Sequence, residues 1–396
     1  MPRSRSRTGL NPALRRLLAP LLALALPLLL IGCPPAEQVS TGGGPSGDPA
    51  NGGLKRIVIL TNGDDPYWDA CQAGAEDAEE TLLLDSKGYR LSFERASFTP
   101  ESQVDLLRQY QTAGDVAGLG ICVVDAESSA IARELKTLQE QGTQVITIDN
   151  DLNVEKYRDH RTVYLGTDNF QGGVELGRAA AALRPDGGRY VAFVGIESAT
   201  NSQQRTDGFA EGAGEKFTEI ERQSDGGKED VARDMVRSSL ENHDQVDALV
   251  GIYAYNAPAA VQIAEQMGRL DDLIVCSFDA AEKSIAAMAD GKVDVMVVQN
   301  PFAMGSEGVQ TLLAMCEGDD ETLAELFPKL NGGDQESESE GGEEEPSDDA
   351  DIRSTGLKVV VPEGSPLTAD LFEDDTEFMT LPEFQAWLKK YGLRSS

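Results

Sequence analysis

Residues 56–76 read RIVILTNGDDPYWDACQAGAE, and the fold is decided here. Ile57, Val58, Ile59 and Leu60 form a short continuous apolar run, the pattern of a strand covered on both faces. Gly63 and Pro66 punctuate the segment Thr61–Pro66 as a loop. Beyond it, Ala70, Gly74 and Ala78 recur at helical spacing. Strand, loop and helix in that order open a parallel α/β sheet, whose loops at the carboxyl ends of strands face a ligand crevice. Asp64, Asp65, Tyr67 and Trp68 are therefore presented to that crevice together. Aromatic faces suit the C–H faces of a sugar ring, and carboxylates suit its hydroxyl rim. The competing reading puts both aromatics in the core, but two adjacent residues at one helix start cannot both point inward.

Outward from this stretch the alternation continues. Apolar runs at Ile57–Leu60, Tyr89–Phe93, Gly120–Val124, Val145–Asp149 and Val163–Gly166 predict strands. Helical patterns lie between them at Tyr67–Leu83, Gln103–Ala113 and Ser128–Gln141. A second set follows, with strands near Tyr190–Val194, Thr218–Glu221, Ala248–Ile252, Ile274–Phe278 and Val295–Gln299. Two such sets predict two similar doubly wound parallel-sheet lobes. Their openings echo each other, with Gly74 in the first helix of one and Gly208-Phe209 in the first helix of the other. Residues 334–351 (DQESESEGGEEEPSDDAD) break the pattern as an acidic run without large apolar residues, expected to be disordered or solvated. Gly356–Val361 predicts a last strand. Leu381–Tyr391 predicts an amphipathic helix with Phe384, Trp387, Leu388 and Tyr391 on one stripe, Trp387 serving packing rather than binding.

The first 32 residues read as a signal peptide: five arginines, then an apolar run from Leu17 to Leu30. Leu30-Ile31-Gly32-Cys33 resembles the box at which bacterial lipoproteins are cleaved and lipidated on the cysteine. Residues 33–53, rich in Gly, Pro and Ser, then form a flexible tether. The net charge is −34, and those five arginines precede Cys33 with no acids among them, so the chain beyond stands five charges lower at −39. Such a surface repels nucleic acid. His160 and His243 are the only histidines, and neither has ligand spacing around it, so neither a metal site nor a His-based triad is expected. Cys71, Cys122, Cys276 and Cys316 sit among apolar neighbours without CxxC pairing and read as buried thiols, with a disulfide left open.

From Lys55 to Val361 the chain resembles the type I periplasmic sugar-binding proteins, the ribose-binding-protein family of ABC uptake systems. The resemblance is carried in order by Asp64-Asp65-Pro66-Tyr67-Trp68, Ile146-Thr147-Ile148-Asp149, Gly166–Gly173, Arg205-Thr206-Asp207-Gly208-Phe209, Ser277-Phe278-Asp279 and Val298–Pro301. It implies two lobes joined by three crossings, near Thr167–Asn169, Gln299–Pro301 and Arg353–Gly356. Lobe one would comprise residues 54–167 plus 302–352, and lobe two residues 168–299 plus 356–396. Closure would follow a hinge motion. The implied ligand site has Tyr67 and Trp68 stacked on a sugar ring and Asp65, Asp149 and Asp279 accepting from its hydroxyls. Gln299 would touch both ligand and hinge, with Gln203 and Tyr253 as polar contacts. Asp125, Asn150, Tyr255 and Asn256 are secondary candidates. The ribose-binding members carry arginines at the positions of Asn150 and Gln203, so ribose itself is not implied.

No phosphate loop, metal cluster or nucleophile–base pair argues for an enzyme, and no cofactor is expected. A DNA-binding head, which repressors of this fold carry, is replaced by a leader and tether. The leading expectation is an extracytoplasmic, lipid-anchored binder that delivers a monosaccharide or polyol to the membrane permease of an ABC importer. A receptor for a membrane sensor kinase, and a binder of a cationic small molecule, stay open.

Overall fold

The computed structural model describes residues 53–330 and 350–396. The leader, Cys33, nearly all of the tether and most of the acidic run lie outside the described residues. Strands Lys55–Thr61 (β1), Tyr89–Arg95 (β2), Val116–Ile121 (β3), Gln144–Ile148 (β4) and Tyr164–Gly166 (β5) alternate with helices Tyr67–Thr81 (α1), Pro100–Ala113 (α2), Ser129–Glu140 (α3) and the single turn Val154–Tyr157 (α4). Helix Asn169–Leu183 (α5) leads into strands Gly188–Val194 (β6), Phe217–Ser224 (β7), Ala248–Gly251 (β8), Ile274–Phe278 (β9) and Val295–Gln299 (β10). Between these run helices Thr200–Ala213 (α6), Glu229–Asn242 (α7), Asn256–Gln266 (α8) and Glu282–Ala289 (α9). The chain closes with Pro301–Glu317 (α10), Asp320–Leu326 (α11), Ile352–Ser354 (β11), Leu357–Val361 (β12), Thr376–Thr380 (β13) and Leu381–Lys390 (α12).

The strands form two sheets, ordered β2-β1-β3-β4-β5-β11 and β7-β6-β8-β9-β10-β12-β13. All pairings are parallel except β10 with β12. The first five strands of each sheet thus repeat one doubly wound order, which places a crevice beyond the carboxyl ends of its strands. Each sheet is covered by apolar clusters on both faces, as continuous apolar runs require. The chain passes between the sheets after β5, after β10 and after β11. These passages are bonded together: the Thr167 hydroxyl donates to Gln299 Oε1 at 2.8 Å, Asn300 Nδ2 donates to the Thr355 carbonyl at 3.3 Å, and the Thr355 amide donates to the Gly166 carbonyl at 2.9 Å.

Three features depart from the sequence reading. β3 begins at Val116 rather than Gly120 and stops before Cys122, because Val123 turns aside to bond Asn150. The edge strands β11 and β13 were not foreseen: β11 has only three residues, and β13 carries no continuous apolar run. Asp351, grouped with the solvated acidic run, is buried, because Arg158 and Arg161 both donate to its carboxylate. Burial raises its pKa, yet the two guanidiniums outweigh that and hold it below the ordinary carboxylate value.

Helices α5 and α10, which follow the first two crossings, sit close on α6 and α1 respectively. A Cβ on Gly74 would lie 1.9 Å from the Phe302 carbonyl oxygen, and one on Gly208 would lie 2.1 Å from that of Phe170. Gly74→Ala and Gly208→Ala must therefore force helices apart. Each is expected to destabilise the protein by about 1–3 kcal/mol, the range for overpacking. Urea unfolding at constant m-value measures it; a loss below about 0.5 kcal/mol would mean that the helix pairs yield freely.

Candidate ligand-binding site

Two aspartates hold corresponding places in the two sheets. Asp149 follows β4 and Asp279 follows β9, and each has φ +64°. The Asp149 amide donates to the Leu165 carbonyl at 2.9 Å and the Asp279 amide to that of Val297 at 2.8 Å. Left-handed backbone is a state that Asp tolerates better than most residues. It ends the strand and leaves both side chains at the wall of one cavity of about 500 Å³, lined from both sheets.

The partners of the two carboxylates differ. Asp149 Oδ1 accepts the Tyr67 hydroxyl at 3.0 Å and its Oδ2 accepts the Cys122 thiol at 3.5 Å. Asp279 accepts the Gln299 amide at 3.1 and 3.2 Å, and Arg205 Nη1 stands 3.9 Å from its Oδ2. Burial pushes both carboxyls above their ordinary value, opposed by the Tyr67 hydrogen bond at Asp149 and by the Arg205 charge at Asp279. Burial, then the charges of Asp149 and Asp279, push the Tyr67 hydroxyl well up, so it remains a donor at neutral pH.

Arg205 entered the sequence reading only as part of a helix start, with no place in the site. The structure corrects that: Arg205 is a wall of the cavity, 3% exposed. Its guanidinium lies 3.9 Å over the Phe278 ring, and it donates from Nε to Asn169 Oδ1 at 2.8 Å and from Nη1 to the Ile252 carbonyl at 3.1 Å. Asn169 opens α5 directly after the first crossing, so the hinge aims this cation. Gln299 couples hinge to site in the same way, bonding Thr167 on one side and Asp279 on the other.

The aromatic walls also differ from expectation. Trp68 touches the cavity but is 3% exposed, with Nε1 donating to Asn62 Oδ1 at 3.1 Å and its ring edge-on to Tyr67. Its flat face is spent in the core of lobe one. The exposed face belongs to Phe98, 54% exposed at φ +56°, whose ring lies over Gly63 so closely that a Cβ there would make the ring shift. Phe98 escaped the sequence reading, although a lone aromatic in a polar loop after a strand is a signal. Tyr253 and Tyr255 also line the cavity, their rings 6.2 Å apart. Tyr253 donates to Asn201 Oδ1 at 2.8 Å and Tyr255 to Asp225 Oδ1 at 2.6 Å.

Asp65 lies at the exposed rim, its Oδ1 accepting the Tyr67 amide at 2.9 Å. Four other candidates fall outside the cavity lining. Gln203 is exposed on α6, where Asn201 takes the wall position. Asn150 donates to the Val123 carbonyl at 2.5 Å and ties two loops together. Asp125 accepts the Glu127 amide at 3.1 Å, an ordinary turn role. Asn256 is fully buried, accepting the Tyr253 amide and donating to Asp225, so it shapes the loop that carries the tyrosines. A second cavity, about 520 Å³, lies beside Tyr164, Asp168 and Phe327, and among the described residues its lining holds no convergent pair of acids. Among the described residues no group of His, Cys, Asp and Glu could hold a metal ion, and Cys71, Cys122, Cys276 and Cys316 are free thiols.

Two doubly wound lobes, three bonded crossings and a polar, aromatic-walled cleft between them define a two-lobed solute-binding protein. The chain belongs to the periplasmic binding protein domain family, whose model matches residues 56–320. This is a family of solute binders, and membership implies an extracytoplasmic location. The ribose import binding protein of Escherichia coli (strain K12) is 22% identical over 264 residues, 66% of this chain and 84% of the relative. An ABC transporter solute-binding protein from Burkholderia graminis, solved with D-arabinose, matches with a TM-score of 0.60 at 20% identity over 82% of this chain and 98% of its own. One from Bacillus halodurans, solved with myo-inositol, matches with a TM-score of 0.58 at 19% identity over 68% and 91%.

Asp149→Asn tests the cost of the buried charge. Its raised folded-state pKa means that the stability it contributes is present below the unfolded carboxyl value and is lost as pH rises through the folded one. Asn keeps the left-handed backbone and the Tyr67 contact without the charge. The unliganded variant is expected to melt at least as high as wild type at pH 7, with the difference vanishing in acid. A lower melting temperature at pH 7 would show that the carboxylate is net stabilising.

Proposed function

We propose that the protein captures an uncharged monosaccharide or polyol between its lobes and delivers it to the membrane permease of an ABC importer. The observation that carries this reading is the facing pair Asp149 and Asp279, one from each lobe, on a single cavity of about 500 Å³, a size suited to a small molecule. Carboxylates raised by burial gain most from ligand groups that donate, and sugar hydroxyls donate. Arg205 supplies a donor fork for further oxygens and disfavours a cation. Phe98 and Tyr67 offer apolar faces to ring C–H groups. Asp65, Asn201, Tyr253, Tyr255 and Gln299 complete the proposed set of contacts, with Trp68 supporting Tyr67 from behind. The relatives' sugars and the cyclitol of one structural neighbour fit the same chemistry. Lipidation at Cys33 would tether the protein beside its permease; Cys33→Ser is expected to release it from the membrane fraction, and a variant that stays bound would point to another anchor.

Thermal-shift screening against D-ribose, D-arabinose, D-allose, myo-inositol and a set of amines identifies the class, because a ligand held only by the folded state raises its melting temperature. Titration calorimetry on the best hit at low and high salt then checks the charge. A neutral ligand should respond weakly to ionic strength, whereas a cation drawn to this acidic protein should bind more weakly as salt rises. A screen in which only amines bind would overturn the sugar reading.

The two aromatics separate by role. Phe98→Ala is expected to cost about tenfold in affinity, roughly 1.4 kcal/mol, with little change in stability. Trp68→Ala should cost about 3–5 kcal/mol of folding stability. The reverse pattern would return the stacking face to Trp68.

A further inference from the structure

Beyond α12 the chain does not run out into solvent. Gly392, at φ +68°, turns it, and Leu393 tucks against the apolar cluster of lobe two. Residues 394–396 then run along the loop that follows β9, the loop that bears Asp279. The Ala280 amide donates to the Ser396 carbonyl at 3.0 Å, and the Ser396 amide donates back to the Ala280 carbonyl at 3.3 Å. Arg394 Nη1 lies 4.0 Å from Glu282 at the start of α9. Arg394, Ser395 and Ser396 all line the 500 Å³ cavity. Ser396 is 4% exposed, and its hydroxyl is buried without a protein partner.

We infer that residues 394–396 are a built-in wall of the ligand site: the pair of main-chain bonds fixes the Asp279 loop and holds the tail against the cavity, while the Ser396 hydroxyl, closed off from the cavity, takes no part in binding. The inference rests on the sugar or polyol reading for the nature of that ligand. It adds a specificity element from a segment outside residues 56–320, the range that matches the family model. Position 396 is buried, so a large side chain there would push the tail off the Asp279 loop.

Three variants of the full-length protein test it: Ser396→Ala, Ser396→Phe and deletion of residues 394–396. Each is titrated with D-ribose, D-arabinose, D-allose and myo-inositol, and melting temperature is recorded alongside. Ser396→Ala, which removes an unpartnered buried hydroxyl, should keep wild-type affinity for whichever of these binds and melt at least as high as wild type. Ser396→Phe, too large for the buried position, should displace the tail and weaken binding, and the deletion should cost more than tenfold. Wild-type affinity in both the Phe variant and the deletion would overturn the inference while leaving the sugar reading intact. A readout without ligand separates the two claims: hydrogen exchange at the Ala280 amide should accelerate in the deletion and stay slow in Ser396→Ala. If wild type binds none of the four compounds and only amines in the screen, the sugar reading falls. The tail is then judged by exchange alone, where unchanged protection at Ala280 overturns its place at the cleft and faster exchange sustains it.

Discussion

Two helix pairs must approach closer than side chains allow, and the architecture depends on that contact. Gly74 of α1 lies against the Phe302 carbonyl of α10, and Gly208 of α6 against the Phe170 carbonyl of α5. α5 and α10 are the helices that receive the chain as it passes between lobes. Clamping each to the first helix of its lobe fixes where the passages lie. That in turn brings Thr167, Gln299 and Thr355 together as one bonded bundle. The same bundle aims the site, because Asn169 orients Arg205 and Gln299 holds Asp279. Backbone contact at the helices and side-chain geometry at the cleft are thus successive links of one chain of causes.

The cleft is expensive to maintain. Two carboxyls are buried at left-handed strand ends, where burial opposes ionisation and each charge raises the other's cost. The lobes answer this differently: lobe one with a phenol and a thiol, lobe two with a guanidinium held at 3.9 Å and an amide. Neither set satisfies the carboxylates as fully as the two arginines that clasp Asp351 in a purely structural role. Asp351 is held below its ordinary pKa, and the site aspartates are held above theirs. Asp351 has spent its bonding capacity on two arginines, and the site aspartates keep more of theirs.

Much of the fold was legible, because buried parallel strands write themselves as continuous apolar runs and Gly74 and Gly208 stood at matching places after two such runs. Asp149 and Asp279 were legible as acids at strand ends. Other features follow from relations that no local pattern records. Which of two adjacent aromatics faces the core depends on the rotation of α1, set by α10 more than two hundred residues later, so of two residues expected to stack together Trp68 is buried in the core and Tyr67 is left to bond Asp149. Phe98 owes its exposure to a positive φ and to Gly63 beneath it. Arg205 was read only as part of a helix-start motif, and its place at the cleft appears only when Asp279 and Asn169 arrive from other segments. β11 and β13 are edge strands too short or too mixed to signal by periodicity, and the return of residues 394–396 to the cleft is set by the packing of α12.

Closure follows from the same electrostatics. Asp149 and Asp279 belong to different lobes, so bringing the lobes together without ligand increases a repulsion that low-dielectric surroundings magnify. A polyol between them reverses the sign, since each carboxylate then accepts from a hydroxyl and the two charges share a bridge of donors. A rigid ring with donors on opposite edges can reach both lobes at once, whereas a single donor group satisfies one lobe and leaves the other charge uncovered. On the proposed reading, the ligand's differential affinity for the closed form would shift the population and would be rooted in the two strand-end aspartates. The lobes would then discriminate by requiring donors at two separated points, with Arg205 disfavouring a ligand that met both acids through positive charge alone.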